Sequence, residues 1–198
     1  MLNRRRFQSG LLAIVSSLWL SGCTDAPQSF KSLDITGAEY GRSFDLLDPA
    51  GQPRKLGDFK GRVVMVFFGF TQCPDVCPTA LSRAVAVQQL LGPDAARLQV
   101  IFVTIDPERD TGELLRGYTA AFDPGFLGLR ADAARTAEVA REFKVFYQKV
   151  ATGSSYTMDH TALSYVFDPK GHLRLAVRHA QSADEVAHDL KRLLAEPV

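Results

Sequence analysis

Val63–Phe68 (VVMVFF) is a continuous apolar run, and Leu98–Ile105 (LQVIFVTI) is a second, largely apolar one. Runs of this kind predict strands buried on both faces. Between them Leu81, Ala84, Val87 and Leu91 recur at helical spacing. Two such strands joined by a helix form a parallel βαβ unit. Thr111–Phe122 and Ala133–Phe143 read as helices. Phe44–Leu47 and Arg54–Leu56 flank Asp48-Pro49-Ala50-Gly51. Ala162–Phe167 and His172–Val177 flank Asp168-Pro169-Lys170-Gly171. In both tetrapeptides proline presets the turn and glycine takes a positive φ, so each predicts a hairpin. Ser182-Ala183-Asp184-Glu185 is a capping box that opens an amphipathic helix carrying Val186, Leu190, Leu193 and Leu194.

The order βαβ, then helices, then ββα is the thioredoxin order. The expected fold class is therefore α/β, thioredoxin-like, with an N-terminal β-hairpin and extra insertions, one of them before Ala162. The 198 residues suffice for one domain; 46% hydrophobic and 23% charged residues describe a globular chain. A net charge of +1 without a basic stripe argues against nucleic acid as a partner.

The N-terminus reads as targeting rather than fold. Arg4, Arg5 and Arg6 precede the apolar segment Leu11–Leu20, which is shorter than the about 20 residues of a spanning helix. Leu20-Ser21-Gly22-Cys23 resembles a bacterial lipobox, cut before a cysteine that is then lipidated. An uncleaved signal anchor is the alternative, and Arg4–Phe7 also has a twin-arginine look. The expected division is a signal peptide at 1–22, a polar tether at 23–32 and one domain at 33–198. Cleavage removes three of the 23 basic residues and none of the 22 acidic ones, leaving a net charge of −2. The expected location is extracytoplasmic, on the periplasmic side, with Cys23 anchoring the protein to the inner membrane. Thiols there are oxidised unless something reduces them.

Apart from Cys23 the chain has two cysteines, Cys73 and Cys77, where the first buried strand gives way to a helix. Pro78 fits a first helical turn, which sets Cys77 near the positive end of a helix dipole. Both thiols are accordingly expected to be more acidic than a free cysteine. Acidic thiols close together exchange disulfides or bind a soft ion such as Cu(I). A structural disulfide is the third option, but so short a loop constrains little of the unfolded chain. Thioredoxin-type enzymes place two residues between their cysteines. This chain places three, and Val150–Phe167 offers no proline to lie opposite them. The peroxiredoxin pattern does not fit either, because Thr71 is two residues before Cys73 and no proline lies between Arg62 and Gln72.

CPDVCP within a GFTxCPDxCP setting, IDPERDT at Ile105–Thr111 and DHT at Asp159–Thr161 together resemble the Sco/SenC family. The resemblance covers the chain from about Leu33 to the C-terminus. It implies a thioredoxin fold and copper, Cu(I) or Cu(II), bound through Cys73, Cys77 and His160, with Asp106 as an acidic residue near the site. It implies a metallochaperone that helps assemble the CuA centre of cytochrome c oxidase subunit II, or serves another copper protein. The alternative is a thiol-disulfide reductase in which Cys73 and Cys77 form the redox-active pair and keep client cysteines reduced. The lipid anchor replaces the uncleaved membrane helix common elsewhere in that family. Two thiolates and one imidazole suit three-coordinate Cu(I). Cu(II) would add a water or carboxylate. Zn(II) favours four closed ligands, and no fourth is evident. Two ligands in one loop and one in a distant loop predict a shallow site.

Other residues read more plainly. His172, His179 and His188 are expected to be solvated, without a metal role. Asp75 reads as a turn former. Arg109 and Asp110 either pair and order their loop or are a solvated charge pair. Phe67, Phe68 and Phe70 read as core and site wall. Met158 reads as filler before it reads as a thioether ligand, and Tyr156 as a hydrogen-bond donor behind the ligands.

Overall fold

The computed structural model describes residues 29–197. Residues 1–28, and with them Cys23 and the expected signal peptide, lie outside the described residues. Ten strands form: β1 (Leu33–Asp34), β2 (Asp45–Leu47), β3 (Pro53–Lys55), β4 (Val63–Gly69), β5 (Leu98–Thr104), β6 (Leu127–Leu129), β7 (Tyr147–Thr152), β8 (Ser155–His160), β9 (Ser164–Phe167) and β10 (Leu173–Val177). The four helices are α1 (Val76–Leu91), α2 (Gly112–Ala120), α3 (Ala133–Glu142) and α4 (Ala183–Ala195). Six strands make the central sheet, in the order β1-β10-β9-β4-β5-β6. β4 and β5 run parallel, with Val63 opposite Leu98 and Gly69 opposite Thr104. β9 and β10 close the sheet as the antiparallel hairpin that the sequence predicts.

Every residue of β4 and β5 is buried, as their largely apolar character predicts, Gln99 and Thr104 of β5 included. Register places Val66 opposite Tyr165, so that one face carries Phe68, Tyr165 and Phe167. These rings meet Phe143, just beyond α3, with the Phe68 and Phe143 centroids 5.1 Å apart. The opposite face carries Phe67 and Phe102 and lies under α1, which packs against α4. Each such side chain contributes about 1.5–3 kcal/mol by leaving water. This is the thioredoxin-like α/β arrangement expected from the element order.

Both D-P-x-G segments make the predicted turns, with Gly51 at φ 79° and Gly171 at φ 88°. Their aspartates do more than the sequence reading assigned. Asp48 accepts the N–H groups of Ala50 and Gln52 and receives the Arg54 guanidinium at 2.8 Å. Asp168 accepts Lys170 and His172 and receives Arg174 at 3.3 Å. The capping box also forms: Ser182 Oγ accepts the Glu185 N–H, and the Glu185 carboxylate accepts the Ser182 N–H.

Two features depart from the sequence reading. The segment before Ala162 is itself a β-hairpin, β7–β8, hydrogen-bonded to no strand of the main sheet. Half of its residues are exposed and only Met158 is buried, so it lacks the apolar signature by which the longer strands of the sheet are recognised. The chain is also already docked at Lys31 and Ser32. Their N–H groups bond the carboxylate of Asp189, which is fully buried in α4. Among the described residues no helix is long and apolar enough to cross a membrane.

Burial alone would push the Asp189 carboxyl up, but the N–H donors of Lys31 and Ser32 and the neighbouring His188 outweigh it and hold the pKa below the ordinary value. A depressed folded pKa stabilises the protein above the unfolded carboxyl pKa; the contribution is lost as pH falls through the folded value. Asp189→Ala is expected to cost about 2–3 kcal/mol at neutral pH, because buried donors lose a charged acceptor. Urea unfolding at pH 7 measures this, and the gap to wild type should shrink in acid.

Candidate metal centre

β4 ends at Gly69, and the chain turns through Phe70–Asp75 before α1. Asp75 holds the N-cap position, yet its side chain caps nothing. The Cys77 N–H instead points at Cys73 Sγ, 3.4 Å away. Cys73 thus performs the capping that Asp75 leaves undone, and the partial positive charge of the helix start falls on its sulfur. Asp75 remains a turn residue, its carbonyl accepting the Thr79 N–H and hydroxyl. Cys73 is partly exposed, whereas Cys77 is fully buried.

His160 is the last residue of β8, not part of a loop as the sequence reading has it. Its Nδ1 lies 3.0 Å from the Thr161 carbonyl, and its Nε2 lies 3.6 Å from Cys77 Sγ. With Nδ1 facing that carbonyl, Nε2 is the ring nitrogen that faces the sulfurs. The ring sits edge-on to Phe67 and Phe70, with centroids 5.9 and 6.0 Å away, so these two phenylalanines are the site wall. Phe68 faces the other side. One donor atom from each of Cys73, Cys77 and His160 lies within 4.8 Å of the others. Residues 87 positions apart in the chain are thus brought to a single point, and the set is a soft one that could hold a thiophilic ion.

The two thiols do not titrate alike, which corrects the expectation that both are acidic. Cys73 is pulled down to about 4, chiefly by the Cys77 thiol, then by His160 and the N–H groups of Asp75 and Cys77, against its own burial. Cys77 is pushed up by the same partnership with Cys73 and by burial. Two adjacent sulfurs in a poorly solvated site cannot both carry charge, so they share one proton. A bound cation would replace that proton.

Behind the sulfurs, Asp106 is buried and lies outside the Cys-Cys-His cluster. It accepts the Tyr156 hydroxyl at 2.9 Å and pairs with Arg109 Nε. Tyr156 is therefore the donor the sequence suggests, directed at Asp106. Arg109 pairs with Asp106 and not with Asp110. Fully buried Asp110 accepts from Thr71 N and Oγ1 at 3.1 and 2.6 Å and from Thr104 Oγ1 at 2.6 Å. That triad fastens the cysteine loop to the end of β5. It escaped the sequence reading, although the parallel register of β4 and β5 brings the GFT and IDPERDT motifs together. Gly69 was missed as well: a Cβ there would lie 2.6 Å from Cys77 Sγ and 2.9 Å from Phe102. Met158 is buried in the core. His172 is exposed beside Asp168. His188 is half-buried against Asp189 rather than solvated, and His179 is partly buried.

Two results follow from this geometry. Iodoacetamide should label reduced protein at Cys73 in preference to Cys77. The rate should already be near its plateau at pH 6, where a free cysteine is almost wholly protonated; mass spectrometry of tryptic peptides reads this. Gly69→Ala should displace the Cys77 thiol and destabilise the fold by about 1–3 kcal/mol through overpacking, measurable by denaturant unfolding.

The family model described as SCO1/SenC matches residues 34–195. The chain is 35% identical over 156 residues to Protein SCO2 homolog, mitochondrial, of Mus musculus, covering 77% of this chain and 61% of that protein. It is 35% identical over 136 residues to a SCO2-like protein of Rickettsia felis, covering 67% and 66%. The chain thus spans less than two thirds of the length of these curated relatives. Among solved structures, ScoI of Bradyrhizobium japonicum with copper bound is 40% identical, with a TM-score of 0.72, covering 79% of this chain and all of that one. Apo Sco1 of Thermus thermophilus is also 40% identical, with a TM-score of 0.76 and coverage of 85% and 99%. With its cysteine pair, its histidine and nearly all of its described fold inside this match, the chain belongs to the SCO1/SenC family.

Proposed function

We propose that the protein is an extracytoplasmic metallochaperone, anchored to the membrane through Cys23, that carries copper and helps assemble the CuA centre of cytochrome c oxidase subunit II. Cys73, Cys77 and His160 hold the ion. The observation that carries this reading is the meeting of two sulfurs and an imidazole nitrogen from separate parts of the chain within 4.8 Å. The copper-bound relative supports the choice of metal. The unequal exposure of the sulfurs supports a carrier over a store. An acceptor's ligand can reach Cys73 first, while Cys77 and His160 still hold the ion from behind, so that copper passes by ligand exchange.

A second reading, thiol-disulfide reduction of client cysteines, is favoured by one observation: an accessible Cys73 thiolate beside a protonated Cys77. Cys73 would attack a client disulfide, and Cys77 would resolve the mixed disulfide and leave the client as a dithiol. The same acidity argues against it. Stabilising the thiolate stabilises the reduced form and raises the potential, away from the about −270 mV of a reductant such as thioredoxin. A potential well above that value is expected, and one at or below it would favour the reductase.

Anaerobic titration of the reduced protein should reach one copper per chain. The Cu(II) form should show thiolate-to-copper charge transfer and nitrogen coupling by EPR, and Cys73→Ala should abolish the charge-transfer band. His160→Ala should weaken copper binding beyond the roughly 100-fold that losing an outer hydrogen-bonding partner costs, while the Cys73–Cys77 disulfide still forms under oxidant. Unchanged copper affinity in His160→Ala would refute the ligand set.

A further inference from the structure

The strand that carries His160 is not held by the main sheet. Among the described residues β7 and β8 pair with no other strand. His160 is joined to β9 through Thr161–Leu163, and what else sets it over the cysteines is the set of side-chain ties between this hairpin and the rest of the molecule. Those ties converge on the loop after β5. Lys149 reaches Glu108 at 2.6 Å, but both side chains are largely exposed, and such a pair contributes little. The ties centred on Arg109 are more sheltered, its side chain being 17% exposed, although the bond to Gln72 is at the surface. Arg109 Nε pairs with Asp106, and its Nη1 donates to Gln72 Oε1 at 3.0 Å and to the Tyr156 carbonyl at 2.8 Å. The guanidinium lies 3.7 Å from the Tyr156 ring centroid and 5.9 Å from that of Phe70. Asp106 closes the ring of contacts by accepting the Tyr156 hydroxyl.

Gln72 adjoins Cys73. Tyr156 lies on the same face of β8 as His160, one strand repeat beyond Met158. One side chain thus bonds the cysteine loop, the loop after β5 and the histidine hairpin together. We propose that Arg109 is the positioning residue that sets His160 against Cys73 and Cys77. This inference rests on the copper reading above and adds a residue that touches none of the donor atoms. Lysine cannot replace it, because an ammonium lacks the planar fork that serves several acceptors at once and stacks on an aromatic ring.

The test uses Arg109→Met, which keeps bulk without donors, and Arg109→Lys, which keeps charge without the fork. Cu(I) affinity is measured by competition with bicinchoninate, for each variant alone and combined with His160→Ala. Arg109→Met should weaken Cu(I) roughly 10- to 100-fold, the usual effect of losing a partner that orients a ligand, and Arg109→Lys should recover only part of that. In the His160→Ala background Arg109→Met should change affinity less than about twofold, because non-additivity marks residues acting through one another. Amide exchange in the metal-free protein should quicken across residues 147–160 but not in β4 or β5. Wild-type affinity in Arg109→Met, or an equal loss in both backgrounds, would overturn the proposal. If the unaltered protein bound no copper, the function reading would fail separately. Hairpin exchange would then decide: faster exchange upholds the positioning role, and unchanged exchange overturns it.

Discussion

The parallel pairing of β4 with β5 is the constraint on which the rest of the molecule hangs. The two strands are buried along their whole length and end level with each other, Gly69 beside Thr104. Because they end together, the loops that follow them are neighbours. One loop carries the cysteines and the other carries Asp106, Arg109 and Asp110. Asp110 ties the first loop to the second through Thr71 and Thr104. Sites in α/β sheets form at the carboxyl ends of the strands for this reason, since only there do loops from adjacent parallel strands share a surface.

On that edge the electrostatics are arranged around a single missing charge. The start of α1 supplies partial positive charge, the Cys77 N–H points at Cys73, and the imidazole lies beside the Cys77 sulfur. Two ionised sulfurs would be one anion too many for so little water, and the second stays protonated until a cation arrives. Metal binding at these sulfurs would thereby be coupled to loss of a proton, and release to its return.

β4, β5, β9 and β10 could be read from the sequence because β4 and β5 are almost wholly apolar and a D-P-x-G turn joins β9 to β10, whereas β1 and β6, only two and three residues long, escaped it. Helix α4 was legible through Ser182 and Glu185. Cys73 and Cys77 stood out by their spacing and His160 by its motif, and the fold brings the three together. What the sequence hid was held by polar side chains and empty space. In β7–β8 half the residues are exposed and only Met158 is buried, so its period was faint. Asp110 and Arg109 looked like a charge pair because they are adjacent in sequence, whereas each bonds a different segment. Gly69 matters through the room it leaves for a sulfur, which no local pattern records. The unequal titration of the cysteines depends on which one the fold buries, and spacing alone cannot say that.

The unequal burial of the cysteines also bears on chemical survival. An ionised sulfur that solvent can reach is the one that peroxide attacks first, and a lone thiolate so placed would advance from sulfenic to sulfinic acid beyond recovery. Cys73 has a protonated Cys77 within 4.8 Å. A sulfenic acid at Cys73 would condense with that thiol, expel water and stop at a disulfide that a reductant can reopen. The buried cysteine is thus a built-in safeguard for the exposed one.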